Sequence, residues 1–167
     1  ERSALSKTLG HVATQGVGLV VADPFLREGT GVGLLFHLRG DDKLLQTALA
    51  GYEAKIRQRH ADVKDYTYQI GPHTVRHLLT PDRTVWQHRV RVDDVELVAN
   101  SKAVIESVLA VKAGQKPSLA DAGEYRFFRA LTPFGQQTED GYAYLSDAFV
   151  LKAISPRTKV LQSRRLL

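Results

Sequence analysis

The spacing of apolar residues changes character several times along the chain, and each change marks an element. Leu5, Leu9 and Val12 fall roughly on one helical face, which predicts the end of a helix within 2–14. The β-branched run GVGLVVA (16–22) predicts a short buried strand. Asp-Pro and Gly-Thr-Gly then punctuate a loop, DPFLREGTG, ahead of a second strand at 32–39. Asp41 or Asp42 is placed to cap a helix reaching about Arg59. Its apolar stripe is Leu44, Leu45, Ala48, Leu49, Tyr52 and Ile56, and Lys43, Glu53, Lys55, Arg57 and Arg59 make an ordinary wet side.

From Asp65 to Asn100 the period becomes two. Four strands are predicted, at Tyr66–Ile70, His73–Leu79, Thr84–Val92 and Val95–Ala99, joined by the turn-like Gly71-Pro72, Thr80–Arg83 and Asp93-Asp94. Tight turns set register. The first places Tyr68 opposite Val75, the second His77 opposite Trp86, and the third Val90 opposite Leu97. All three then agree on one core face, carrying Tyr66, Tyr68, Ile70, Val75, Leu79, Trp86, Val90, Val92, Val95, Leu97 and three histidines. The opposite face carries Thr67, Gln69, Arg76, Gln87, Arg89, Arg91 and Glu96 and is expected to be wet. Beyond the meander, Asn100 or Ser101 opens a helix with Val104, Ile105, Val108 and Leu109, which Gly114 and Pro117 end. Ser118 with Asp121 resembles a capping box for another helix, with Tyr125, Phe127, Phe128 and Phe134 expected in the core. GYAYL (141–145) reads as a short strand, Ser146 caps a helix to about Ile154, and Ser155-Pro156 starts one more.

The fold class expected is therefore α+β, a mostly antiparallel sheet of six or seven strands with helices on its apolar face. Residues 1–155 form one domain, and 156–167 form a basic boundary helix leading out of it. With 167 residues, 43% of them hydrophobic and 25% charged, the composition is that of a globular chain. No apolar run reaches about 18 residues, so no transmembrane segment is expected. The start, ERSALSKTLG, lacks a methionine and any signal pattern and suggests a processed or excised piece. The absence of cysteine excludes disulfides, thiolate metal sites and cysteine nucleophiles.

The net charge of +5 is unevenly placed. Lys64, Arg76, Arg83, Arg89 and Arg91 are balanced in 64–98 by Asp65, Asp82, Asp93, Asp94 and Glu96, whereas Arg157, Lys159, Arg164 and Arg165 meet no acid in 156–167. Two candidate partner-binding surfaces follow: the sheet face with Arg76, Arg89 and Arg91, and the tail with Arg157, Lys159, Arg164 and Arg165. Nucleic-acid platforms need aromatic and basic side chains on one exposed face. Here Tyr66, Tyr68 and Trp86 lie opposite the arginines, which disfavours that partner. The segment HTVRHLLTPDRTVWQHRVRV (73–92) also suggests a metal site. His73 and His77, however, are four residues apart on one strand, roughly 13 Å, while zinc holds its nitrogens at about 2 Å. No metal and no cofactor are expected. Ser101, Ser118, Ser146 and Ser155 stand at cap positions, GTGVG (29–33) lacks the Gly-Lys-Ser/Thr of a phosphate loop, and Asp93-Asp94 suits a hairpin turn, so no catalytic residue is assigned.

The run VELVANSKAVIESVLAVKAGQKPSLADAGEYRFFRAL (95–131), with GYAYLS after it, resembles a recurring segment of a bacterial extracytoplasmic family, the DUF3352 group. The matching positions are Asn100, Ser101, Pro117, Ser118, Leu119, Tyr144 and Leu145, with Ala99 where a serine is usual. The resemblance covers a little over a third of the chain. It implies an extracytoplasmic location, periplasmic or cell-surface, and carries over no catalytic residue. The function expected is a non-enzymatic structural or protein-interaction module of a larger exported bacterial protein, its partners being other domains or subunits of the assembly. The alternative is a ligand- or nucleic-acid-binding domain using the basic sheet face or the basic C-terminal helix.

Overall fold

The computed structural model describes residues 14–21, 30–40, 42–133 and 142–154. Six strands, β1 (Thr14–Val21), β2 (Val32–Leu38), β3 (Lys64–Ile70), β4 (His73–Leu79), β5 (Trp86–Val92) and β6 (Val95–Ala99), form one sheet of order β1-β2-β6-β5-β4-β3. Every pairing is antiparallel. The helices are α1 (Lys43–Arg59), α2 (Lys102–Lys112), α3 (Gly123–Leu131) and α4 (Asp147–Ile154), with a 3₁₀ turn at Leu119–Asp121. The fold is α+β.

Strand order dictates where α1 goes. β2 lies beside β6 and β3 is the far edge, so the connection must cross four strand spacings, about 19 Å at 4.8 Å each. A helix of 17 residues spans about 26 Å at 1.5 Å per residue, enough to make that crossing. α2 packs on the opposite face. There Val104, Ile105 and Leu109 join Val75, Val90, Leu97 and Ala99 in the main core cluster, with Tyr68, Ile70, Val92 and Leu35 packed against it. The helices thus lie on both faces, not on the apolar face alone. A close approach at Gly33 helps seat α2: a Cβ built there would meet Val104 Cγ1 at 2.9 Å. α2 ends in paired bonds that satisfy its last carbonyls, Gln115 N donating to Ala110 O and Gly114 N to Val111 O, with Gly114 at φ 71°.

Two of the three meander registers are as expected. Tyr68 faces Val75, Tyr66 faces His77, Val90 faces Leu97 and Arg91 faces Glu96. The β4–β5 register is corrected by two residues: Leu79 faces Trp86 and His77 faces His88. The reason is that Thr80 belongs to the ladder, not the loop. It is fully buried. Its N–H donates to Val85 O at 2.9 Å, and its hydroxyl accepts from Val85 N at 3.0 Å. The turn is drawn in by Asp82, which accepts from both Thr84 N and Thr84 Oγ1. A shift of two keeps the alternation of faces but changes which histidines meet; Tyr66 and Trp86, expected in the core, are exposed.

Other expectations also need correction. β1 is not buried: Val17, Leu19, Val20 and Val21 are all exposed on this edge strand. Glu53 is buried, not part of a wet face, and Tyr52 is exposed. Phe127 and Phe128 are exposed, not core. Residues 142–146 have no regular secondary structure, so the expected strand is absent there. Ser101 stands at the N-cap of α2 without a side-chain cap bond, and the neighbouring Asn100 amide bonds Val32 N and Thr30 O. Ser146 does cap α4, accepting from Phe149 N. The helix expected within 2–14, most of the loop after β1, Asp41, Phe134 and the tail 156–167 lie outside the described residues.

Candidate functional site

The sheet places three surfaces in view: the arginine face under α1, the histidine cluster at the start of α2, and the outer end of the sheet where β1 and β2 lie. Arg76, Arg89 and Arg91 share one face, and α1 brings acids down onto them. Arg89 Nε donates to Glu96 Oε1 at 2.5 Å and Nη1 to Glu53 Oε1 at 3.2 Å, while Nη2 reaches Gln46 Oε1. Arg76 bridges Glu53 at 2.8 Å and Asp65 at 2.6 Å. Arg91 reaches Asp42 at 3.2 Å and donates to the Asp93 carbonyl. The Glu96 side chain is 3% exposed and that of Arg89 15%. The expectation that Arg89 points into open water is therefore corrected. Hydrogen bonding to Arg76 holds the Asp65 carboxyl below its ordinary range. Every cation of this face has a carboxylate, so it carries little outward positive field. Arg157, Lys159, Arg164 and Arg165, the tail candidates, lie outside the described residues. Sequence spacing held a signal for this network: Glu53 lies on the line of Leu49 and Ile56, an acid on a buried stripe.

On the other face the corrected register stacks His77 on His88, ring centres 4.0 Å apart and planes 19° from parallel. Tyr68 OH and His88 Nδ1 are hydrogen-bonded at 2.9 Å, and Trp86 meets His77 edge-on at 4.7 Å. Burial, then the neighbouring His77 and Lys102, push the His88 pKa down to about 4, and burial lowers that of His77. Burial raises the Tyr68 phenol. Both rings are thus neutral at pH 7 and the phenol keeps its proton. Among the described residues neither Nε2 has a hydrogen-bond partner, an omission that costs about 1–3 kcal/mol for a buried polar group. No group of three metal-ligating side chains occurs among the described residues. His73 lies apart, opposite Ile70 at the β3–β4 turn.

The third surface follows from the reach of α1. The helix covers β3–β5 and β6; on its own side the Thr14–Leu38 end of the outer strands is also buried, but the Val17–Val21 end is exposed. Opposed residues there are Val17 with Phe36, Leu19 with Leu34 and Val21 with Val32. Register continues inward from Leu34 to Val98 and from Phe36 to Glu96, which fixes this as the α1 face. Leu19 is 64% exposed, Val17 56%, Tyr52 of α1 56%, Val21 44% and Leu34 38%. An open groove lined by Val32, Leu34, Tyr52, Trp86 and Val98 runs beside them. Single exposed apolar residues are commonplace, but a contiguous set marks a contact surface. The outward edge of Val17–Val21 also has no strand partner among the described residues. No helix there is long and apolar enough to cross a membrane. No family model, curated protein or solved structure matches the chain.

Proposed function

We propose that the chain is a non-enzymatic protein-interaction module that receives an extended strand from a partner along the free edge of β1. The observation that carries this reading is the exposed apolar set Val17, Leu19, Val21, Leu34 and Tyr52 at one end of the β1–β2 pair. Strand addition supplies main-chain hydrogen bonds along an edge and takes its specificity from alternate side chains. β1 offers both requirements. Sheet edges of this kind are usually blunted by charge, proline or bulges; among the described residues the irregularity of β1 is the register shift between Thr14 and Gly16. Membership of a larger, exported bacterial protein is the companion proposal, supported by the resemblance of 95–145 to the extracytoplasmic family. Within such an assembly the strand comes from another domain or subunit.

In a purified sample the strand most readily supplied is β1 of a second copy, so the isolated chain is expected to self-associate. Sedimentation velocity between about 5 and 200 μM, bracketing the micromolar affinities of small interfaces, should show a rising sedimentation coefficient. Val17→Lys with Leu19→Lys should remove that rise while leaving the thermal midpoint within a few degrees, because both positions are exposed. A wild-type chain that stays monomeric throughout would contradict the reading.

A further inference from the structure

On the sheet face opposite that surface, the histidine cluster floors a cleft of about 1180 Å³ whose wall is the amino end of α2. Its composition is specific. Tyr68, His77, Trp86 and His88 supply aromatic surface. Ser101, Lys102 and Ala103 supply the first turn of the helix, and Arg83 closes one side with its guanidinium 5.1 Å from the Trp86 ring. Three features point the same way. First, α2 is an 11-residue helix whose N-cap makes no side-chain bond and whose first turn holds no acid, so its amide hydrogens and positive dipole end lack their usual oxygen partner. Second, His88 is 3% exposed and its Nε2 has no partner among the described residues. Nδ1 shares its hydrogen bond with the Tyr68 hydroxyl, so Nε2 is left as the buried polar atom of this ring in want of a partner. Third, the lining holds the cations Arg83 and Lys102 and one acid, Glu106, which is already paired to Lys102 at 3.3 Å.

We propose that this cleft binds a small organic anion with an aromatic body, its anionic oxygens at the amino end of α2 and its ring against Trp86. Anions are suited to a helix amino terminus by geometry and dipole together. An edge-to-face aromatic floor favours a flat apolar body over a bare ion. The inference does not depend on strand addition at β1: the exposed side chains of β1–β2 and the histidine floor lie on opposite faces, with Thr84, Trp86 and Asn100 at the sheet end bordering both pockets.

Trp86 is the only tryptophan in the chain, so its fluorescence reports occupancy of the cleft without a label, with calorimetry as a second readout. The probes are benzoate, its neutral analogue benzamide, and inorganic phosphate. Benzoate is expected to give a saturable response with a half-point at or below about 1 mM. Benzamide and phosphate should each be at least about tenfold weaker, one lacking the charge and the other the ring. Lys102→Gln should weaken benzoate severalfold and leave benzamide unchanged, whereas Lys116→Gln, outside the cleft, should change neither. No saturable benzoate response by either readout would overturn the proposal. So would equal binding of benzamide, equal binding of phosphate, or indifference to Lys102→Gln.

Discussion

Arg89→Ala is expected to destabilise the chain by about 3–5 kcal/mol, the loss that follows when one partner of a buried ion pair is removed. Glu96 would keep only Arg91 at 3.8 Å and the Gln46 amide at 3.4 Å, and it cannot turn to water because its side chain is 3% exposed. Glu53 would still hold Arg76 at 2.8 Å, so the damage centres on Glu96. The network as a whole need not be strongly stabilising, because desolvating several charges offsets much of their attraction. Arg89→Leu together with Glu96→Leu should therefore lose clearly less than the two single changes summed. Urea unfolding curves of the wild-type chain, Arg89→Ala, the two single leucine changes and the double change measure these differences. A cost under about 1 kcal/mol for Arg89→Ala, the value of a solvated surface pair, would mean that α1 does not press its acids onto the sheet.

Acid should weaken the fold through the stacked histidines before it reaches most carboxylates. The His88 pKa is about 4 in the folded chain and about 6.5 when unfolded. Between those values the unfolded chain binds more protons, so stability rises with pH across the window. The contribution is fully present above about pH 6.5, falls as the pH drops, and is gone below about 4. At 1.36 kcal/mol per unit the change is about 3 kcal/mol. His77, whose pKa burial also lowers, adds in the same direction. The titratable and charged groups around the pair are Tyr68, Arg83, Lys102 and Glu106. Lys102 remains cationic throughout the window and so opposes protonation of His88. Urea midpoints at pH 4 and pH 7 should differ accordingly, and His88→Gln should flatten most of the difference. A midpoint that holds steady from pH 7 to pH 4 would show that the ring accepts its proton without cost, as an exposed histidine does.

What the sequence shows well is local. Alternation in 64–99 locates the meander and sorts its faces, because period two and two short turns leave few alternatives. Leu45 and Ile56, and Val104, Ile105 and Leu109, identify the buried sides of α1 and α2 through helical spacing. What it hides is set by contacts between distant segments. Whether Thr80 pairs with Val85 or starts a loop depends on one buried hydroxyl, and a four-residue stretch of Thr, Pro, Asp and Arg reads as a turn either way. That single choice decides whether His77 meets Trp86 or His88, and so whether a histidine stack exists. Arg76, Arg89 and Arg91 look solvated until the strand order places β3 at the far edge and forces α1 across them. β1 reads as interior from its valines and leucine, yet β-branched residues suit an edge equally when a partner completes the sheet. The candidate surfaces were therefore visible as residues, but their partners were not.

Amide hydrogen exchange along β1 tests strand addition most directly. In an edge strand alternate N–H groups point to the neighbour and the rest point outward. At low concentration the account predicts slow exchange for the β1 amides bonded to β2 and fast exchange for the outward set. On association the outward set should become protected, and Val17→Lys with Leu19→Lys should prevent that change. Outward amides already protected in the dilute monomer, or still exchanging fast in the associated form, would contradict it.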